Sequence, residues 1–316
     1  MTETQKGVLA MIGAAVIWGV SPIYYKLLAH VPPVEVLAHR TFWSLVFFAG
    51  LLALQGRLPE LGRALSGWRR IGLIALAALM VSVNWFLFIY ATQIDRNTET
   101  SLGYYIYPLV AVLLGRFLFA ERLGAAQWIA VTLAALAVAV LTAGPGVVPW
   151  ISLTLALTFG LYGVIKKLLP IGPMVSVTCE VLVIAPLSVG ALVWIQAQGQ
   201  GAFGQSWRDT LLLLASGPVT ALPLILFSTA ARRISMATVG LLQYINPTLQ
   251  FLCAVVLFGE LFTPAHRIAF PLIWAALAIY SLAALRQDRA SRRASMAAVG
   301  VSTHVTKPAS EASAKP

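Results

Sequence analysis

In a chain that is 59% apolar and only 10% charged, the residues able to do chemistry are the polar ones that stand inside apolar runs. Arg40 follows Glu35 and His39 just past the Pro32-Pro33 turn, and Glu180 stands about five residues into another apolar run, beside Thr178 and Cys179. A charge in such a setting is costly and must find a partner, water or a ligand. Glu35 and His39 are four residues apart, so on a helix they share a face, and an imidazole beside a carboxylate could couple to protons. Two readings of this cluster stand side by side. Either it is an interfacial group wetted by lipid headgroups, or Arg40 points inward and attracts an anionic or hydrogen-bonding part of a solute. Asn84 lies deep in a third run, ahead of Trp85, Phe86 and Phe88. Its amide needs a neighbouring helix or water in a cavity.

Two further stretches pair aromatic and amide groups with proline. Tyr104, Tyr105 and Tyr107 precede Pro108 or flank it by a residue or two, and Gln243, Tyr244 and Asn246 precede Pro247. Each proline removes one helical hydrogen bond and frees a carbonyl one turn earlier. Plain packing kinks are one outcome. The other is that the kinks turn Tyr105, Tyr244 and Asn246 toward a central cavity, where rings hold flat apolar solutes and polar tips orient them. With Trp18, His39, Arg40, Asn84 and Glu180, these residues form the candidate lining of a solute pathway.

Other chemistries lack their residues. The sequence has no G-x-x-x-x-G-K-[ST] run for ATP, no H-E-x-x-H and no G-x-S-x-G. Its four histidines are scattered, so neither a metal nor a cofactor is expected. Gly199-x-Gly201-x-x-Gly204 matches a dinucleotide fingerprint in letters only, since no strand precedes it. Cys179 and Cys253 lie in apolar runs and make no disulfide framework.

The elements that must position these residues follow from run length. About 20 apolar residues cross a hydrocarbon core of roughly 30 Å, and ten such runs emerge, at about 7–29, 36–55, 70–92, 101–119, 124–143, 147–165, 175–195, 210–231, 235–258 and 266–285. The first has one lysine before it and no small-x-small cleavage site, so it is a retained span and not a leader. Lys26 and Lys167 sit near span ends and are expected to snorkel. Glu121 and Glu260 read as boundary residues at span ends. Residues 55–70 place Leu58, Leu61, Leu65 and Trp68 among four arginines, as in a short helix lying on an acidic lipid surface.

The ten runs repeat. At an offset of 139, Tyr105, Ile106, Pro108, Phe119 and Glu121 fall on Tyr244, Ile245, Pro247, Phe258 and Glu260; at 141, Trp18-Gly19 falls on Phe159-Gly160 and Lys26 on Lys167. The seam lies near Gly144-Pro145-Gly146, giving halves at 1–144 and 145–286 and a polar tail at 287–316 that reads as disordered and cytoplasmic. Because each half has five spans, an odd number, the second enters the membrane from the opposite side. The predicted fold is therefore all-α integral membrane, with ten transmembrane helices as two inverted five-helix repeats.

The net charge of +11 is a topology signal. With both termini cytoplasmic, 17 of the 22 basic residues fall on the cytoplasmic side, and Lys26, Arg40, Arg96, Arg208 and Arg267 lie on or toward the other. That asymmetry is the positive-inside rule, and no nucleic-acid partner is expected. Inverted repeats around a midplane site recur in secondary transporters, which rock one bundle against the other.

Five segments together resemble the EamA-type drug/metabolite transporter superfamily: Ile17-Trp18-Gly19; His39-Arg40 with Trp43-Ser44; Asn84-Trp85 with Phe88; Ser101-Leu102-Gly103-Tyr104 with Pro108-Leu109; and Gln243-Tyr244-Ile245 with Pro247-Thr248-Leu249. The resemblance covers about residues 6–286. It implies a multi-pass permease of the bacterial inner membrane that moves a small amphipathic metabolite or drug, such as a chloramphenicol-like compound. The expected partners are that small-molecule solute and the lipid bilayer; monomer and homodimer both stay open. An intramembrane enzyme and a non-transporting membrane assembly protein are the alternatives.

Overall fold

The computed structural model describes residues 1–120, 123–143, 148–234 and 236–305, and every regular element among them is helical. In chain order these are α1 (Glu3–Lys26), α2 (Pro33–Leu54), the short α3 (Pro59–Ala64), α4 (Trp68–Gln93), α5 (Asn97–Phe119), α6 (Ala125–Ala143) and α7 (Trp150–Leu168). Then come α8 (Pro173–Ala197), α9 (Trp207–Ala231), α10 (Met236–Gln243), α11 (Ile245–Leu252) with a π-helical turn at Cys253–Leu257, and α12 (Pro264–Val305). Among the described residues ten segments are long and apolar enough to cross a membrane, and they coincide with the ten predicted runs. The all-helical outcome follows from the medium, where a backbone amide has no water to bond and the helix satisfies it internally.

Helix ends carry the expected signals. Thr2 and Gln5 form a reciprocal capping box before α1, with bonds of 2.9 and 3.2 Å. Pro33 and Pro173 open α2 and α8, where an absent N–H breaks no bond.

The principal contacts between the two halves keep their pattern when the halves are exchanged. α1 packs on α11 as α7 packs on α5, α1 on α9 as α7 on α4, and α2 on α9 as α8 on α4, while α2·α8, α5·α11 and α6·α12 join equivalent helices. The repeated glycine explains one such pair. A Cβ on Gly19 would lie 2.6 Å from Leu249 Cβ, and one on Gly160 would lie 3.0 and 3.3 Å from Leu114 and Val110 side chains. At Gly19 a side chain would force α1 and α11 apart, whereas at Gly160 the Leu114 and Val110 side chains would have to give by a few tenths of an ångström.

Polar ties gather several loops at one end of the bundle. Lys26 pairs with Asp95, and His30 Nε2 lies 3.0 Å from Asp209. Gln93 donates to the Leu28 and Val31 carbonyls at 3.1 and 2.9 Å. Lys26 thus has an ionic partner in place of a purely snorkelling role. At the other, basic end, Arg233 bonds Glu3 at 2.9 Å. There α3 docks Leu61 and Leu65 on an apolar cluster with Leu52, Ile165, Leu169 and Val175, so this short helix also closes the bundle end.

Several expectations need correcting. α12 continues helically to Val305, through the first part of the stretch read as a disordered tail. Residues 287–305, rich in Ala, Arg and Ser, contain no proline and a single glycine, Gly300, so helix propensity persists where hydrophobicity stops. Residues 306–316, the seam at 144–146 and Glu121 lie outside the described residues. Glu260 is more than a boundary residue: its carboxylate accepts from the backbone N–H groups of Asn97 and Thr98 at 2.6 and 2.7 Å, capping the N-terminus of α5 from the other half. Pro108 lies within one continuous α5, whereas the chain breaks between α10 and α11 just before Pro247.

Candidate solute site

Arg40 projects from the first third of α2 into the bundle and is only 6% exposed. Its surroundings are side chains of α1 and α4. Its guanidinium carbon lies 4.0 Å from the Trp85 ring centroid on α4 and 5.7 Å from that of Tyr25 on α1. Arg40 Nε and Ser44 Oγ, one turn further along α2, are both buried without a hydrogen-bond partner among the described residues. No carboxylate lies within ion-pair distance of Arg40 among those residues.

Above this point the α8–α9 loop folds back into the bundle. Glu35 Oε1 accepts from the backbone N–H groups of Ala202 and Phe203 at 2.7 and 3.4 Å. The Phe203 ring then stacks on His39 at 4.8 Å and lies 6.2 Å from Trp43. Trp43 Nε1 donates to His39 Nδ1 at 3.3 Å, and His39 Nε2 stands 3.9 Å from Glu35. The loop that carries the Gly199-x-Gly201-x-x-Gly204 pattern is therefore anchored on α2. Its glycines serve the turn: Gly199 and Gly204 have φ of +68° and +86°.

Glu180 has its own set of partners. Its carboxylate lies 2.5 Å from Lys166 Nζ, accepts from Ser176 Oγ at 2.9 Å and from Tyr162 OH at 3.0 Å. Lys166 also reaches Ser176. The local partner that burial demanded is thus a lysine on α7, one residue before the lysine singled out as a snorkeller. Glu180 further borders a narrow cleft with Thr41, Val81, Trp85, Val181 and Ile184. Because Trp85 carries the Arg40 guanidinium on its ring, the two charges flank one seam between α2, α4 and α8.

Asn84 is fully buried and bonded at both ends of its amide. Nδ2 donates to the Leu155 carbonyl at 2.9 Å and to Thr158 Oγ1 at 3.1 Å, and Oδ1 accepts from Tyr104 OH at 2.8 Å. Of its two open readings, the bond to neighbouring helices is the one realised. It ties α4 to α5 and α7.

The proline-associated residues divide. Tyr105 and Tyr244 line one apolar cleft of about 370 Å³ with Leu241, Thr248, Trp274 and Leu277, between α5, α10, α11 and α12. Tyr105 is hydrogen-bonded to Thr248 at 2.6 Å. Asn246 is elsewhere: it is buried and accepts from Gln250 Nε2 at 2.8 Å, near the α1 backbone that Gly19 presents. Trp18 packs at 6.0 Å from Phe227 on α9. The structure therefore does not bring Tyr105, Tyr244 and Asn246 to one cavity.

Comparison with known proteins matches this arrangement. The model of the EamA-like transporter family matches residues 5–143, ending where α6 ends. A protein RarD of Streptomyces exfoliatus is 45% identical, and the alignment covers 92% of each chain. The chain belongs to the EamA-like transporter family. Within it the RarD-type relatives include the protein RarD of Escherichia coli (36% identical, 91% of this chain and 97% of that one) and a chloramphenicol-sensitive protein RarD of Pseudomonas aeruginosa (32%, 88% and 94%). An uncharacterized transporter of Vibrio cholerae is 39% identical over 92% of this chain and 97% of its own. A crystal structure sharing 21% identity superposes with a TM-score of 0.60 over 90% of this chain and 99% of that one, which shows a common fold.

As an EamA-family, RarD-type member, the chain is a multi-pass bacterial membrane protein of transporter type. Sequence reasoning missed three residues of its polar interior: Lys166, Ser44 and Phe203. Lys166 was legible only as one of two lysines at a helix end. Ser44 carries no charge to mark it. Phe203 sits in a Gly- and Gln-rich loop whose anchor, Glu35, bonds backbone amides that have no sequence signature.

Proposed function

We propose that this permease is a secondary transporter that moves a small amphipathic organic solute, of the size and character of chloramphenicol, by alternating access. Its halves act as inverted repeats, with both termini in the cytoplasm. The observation that carries this proposal is the packing between the halves, which is unchanged when they are exchanged. Such a bundle has two equivalent ways to part, one opening each end. At the end away from the basic loops, the halves are tied by polar contacts, among them His30 with Asp209, Glu35 with Ala202 and Phe203, and Glu260 with Asn97 and Thr98, beside an apolar cluster that joins Tyr25, Leu28 and Val36 to Ile151, Leu155 and Leu213. Polar ties of this kind cost little to break once water enters. The name of the Pseudomonas aeruginosa relative adds a phenicol drug as a first solute to try.

Counterflow in proteoliposomes tests the proposal. Vesicles preloaded with chloramphenicol and diluted into a trace of labelled compound should accumulate the label transiently, without nucleotide. Conversion of the label into another compound would mark an intramembrane enzyme. Absence of exchange for any amphipathic solute would leave a non-transporting assembly protein.

A further inference from the structure

Arg40 has a counterpart in the second half, and the two are solved differently. The repeat places Arg40 opposite Glu180, at an offset of 140, and Tyr25 opposite Lys166, at 141. In the second half the α8 charge is neutralised by its α7 neighbour, Glu180 by Lys166. In the first half the equivalent neighbour is Tyr25, whose ring lies 5.7 Å from the guanidinium and supplies no charge. The same framework thus holds an ion pair on one side and, among the described residues, a cation without a carboxylate partner on the other.

The lone cation is set up to receive something. Its Nε and the Ser44 hydroxyl one turn on are both unpartnered and buried, and residues four apart on a helix share a face. The aromatic hydroxyls nearby are already committed: Tyr24 donates to the Leu212 carbonyl at 2.5 Å and Tyr104 to Asn84. A buried guanidinium without a hydrogen-bonding anion is expensive, and cation–π contact with Trp85 offsets only part of that cost. The planar donor fork fits a carboxylate in two parallel bonds, and one cation balances one negative charge. Beside it, the Trp85 ring, Val81, Val181 and Ile184 border a closed seam, shared with Thr41, Ser82 and Glu180, that a solute body enters only as α2, α4 and α8 part.

We infer that Arg40 and Ser44 form the binding site for the carboxylate of an amphipathic organic monoanion, whose apolar body lies along Trp85. The inference rests on the transport proposal; it keeps the amphipathic body of that solute and replaces the neutral character of chloramphenicol by a carboxylate.

The test uses the purified full chain in nanodiscs, with phenylacetate and its neutral isostere phenylacetamide as probes at equal ionic strength. Binding is read by thermal shift and by quenching of tryptophan fluorescence. Phenylacetate should bind saturably and at least about tenfold more tightly than the amide, the effect of a charge-assisted bond. Arg40→Gln should abolish that preference without lowering the unfolding temperature of the free protein, because it removes an uncompensated charge. Tyr25→Glu is the second variant: it supplies an internal carboxylate where the other half has Lys166, so it should also abolish phenylacetate binding while keeping the fold. Equal binding of acid and amide, no saturable binding of the acid, or undiminished binding to Arg40→Gln would overturn the inference. A fall in unfolding temperature for Arg40→Gln, with the preference intact in Tyr25→Glu, would assign Arg40 to packing. Counterflow on the same preparation separates the two proposals, since exchange of solute without carboxylate preference defeats only this one, and carboxylate binding without exchange defeats only transport.

Discussion

Asn84 and Glu180 illustrate how differently two buried polar residues can be served. Asn84 spends its amide on three bonds to two other helices. Interhelical bonds in membranes are individually modest, so Asn84→Leu should lower stability by about 1–2 kcal/mol, read by thermal unfolding in detergent. An unchanged midpoint would mean that its partners find replacements. Glu180 is 2% exposed and depends on Lys166. Lys166→Met should cost about 3 kcal/mol by stranding a buried carboxylate, and Lys166→Met with Glu180→Met should recover most of it. If the double variant is as unstable as the single, the ion pair contributes more than mutual neutralisation. At this scale the sequence showed which residues were expensive and left their partners hidden. Lys166 and Lys167 look alike at the end of α7, and only the positions of α7 and α8 relative to one another show that Lys166 reaches Glu180.

Among elements, the ten spans were legible because run length and hydropathy act locally, and because lipid allows few alternatives to a helix. Close approaches were legible only in part, through the repeated Gly19 and Gly160. Gly19→Val should drive α1 away from α11 and cost about 1–3 kcal/mol, whereas Gly50→Ala, at a site with nothing within 4 Å, should be neutral. Equal unfolding midpoints for the two variants would contradict the packing described. The anchoring of residues 198–206 on α2 was illegible, since their composition says only that they form a loop. Glu35→Gln weakens the anchor from charged to neutral acceptor, so the amides of Ala202 and Phe203 should exchange hydrogen about tenfold faster. Unchanged exchange would show that Phe203 stacking alone holds the loop. Likewise, matched Pro108 and Pro247 suggested matched kinks, yet only the second stretch breaks its helix, between α10 and α11, although both stretches end on a left-handed residue, Ala120 at φ +53° and Gly259 at φ +66°.

For the whole molecule, the charge distribution predicts orientation. A reporter inserted after Gln200 should be active only outside the cytoplasm, and one at the C-terminus only inside; the reverse pattern would invert the assignment of the basic end. Alternating access makes a stronger demand, that the tied end must open during each cycle. His30 on the α1–α2 loop and Asp209 on α9 face each other across the halves at 3.0 Å, away from the proposed carboxylate site. The direct measurement is counterflow by the His30→Cys, Asp209→Cys variant, with Cys179 and Cys253 replaced by alanine, before and after a short thiol cross-link and again after its reduction. The account predicts that cross-linking stops exchange and that reduction restores it. Exchange at the uncross-linked rate through a fully cross-linked population would contradict it.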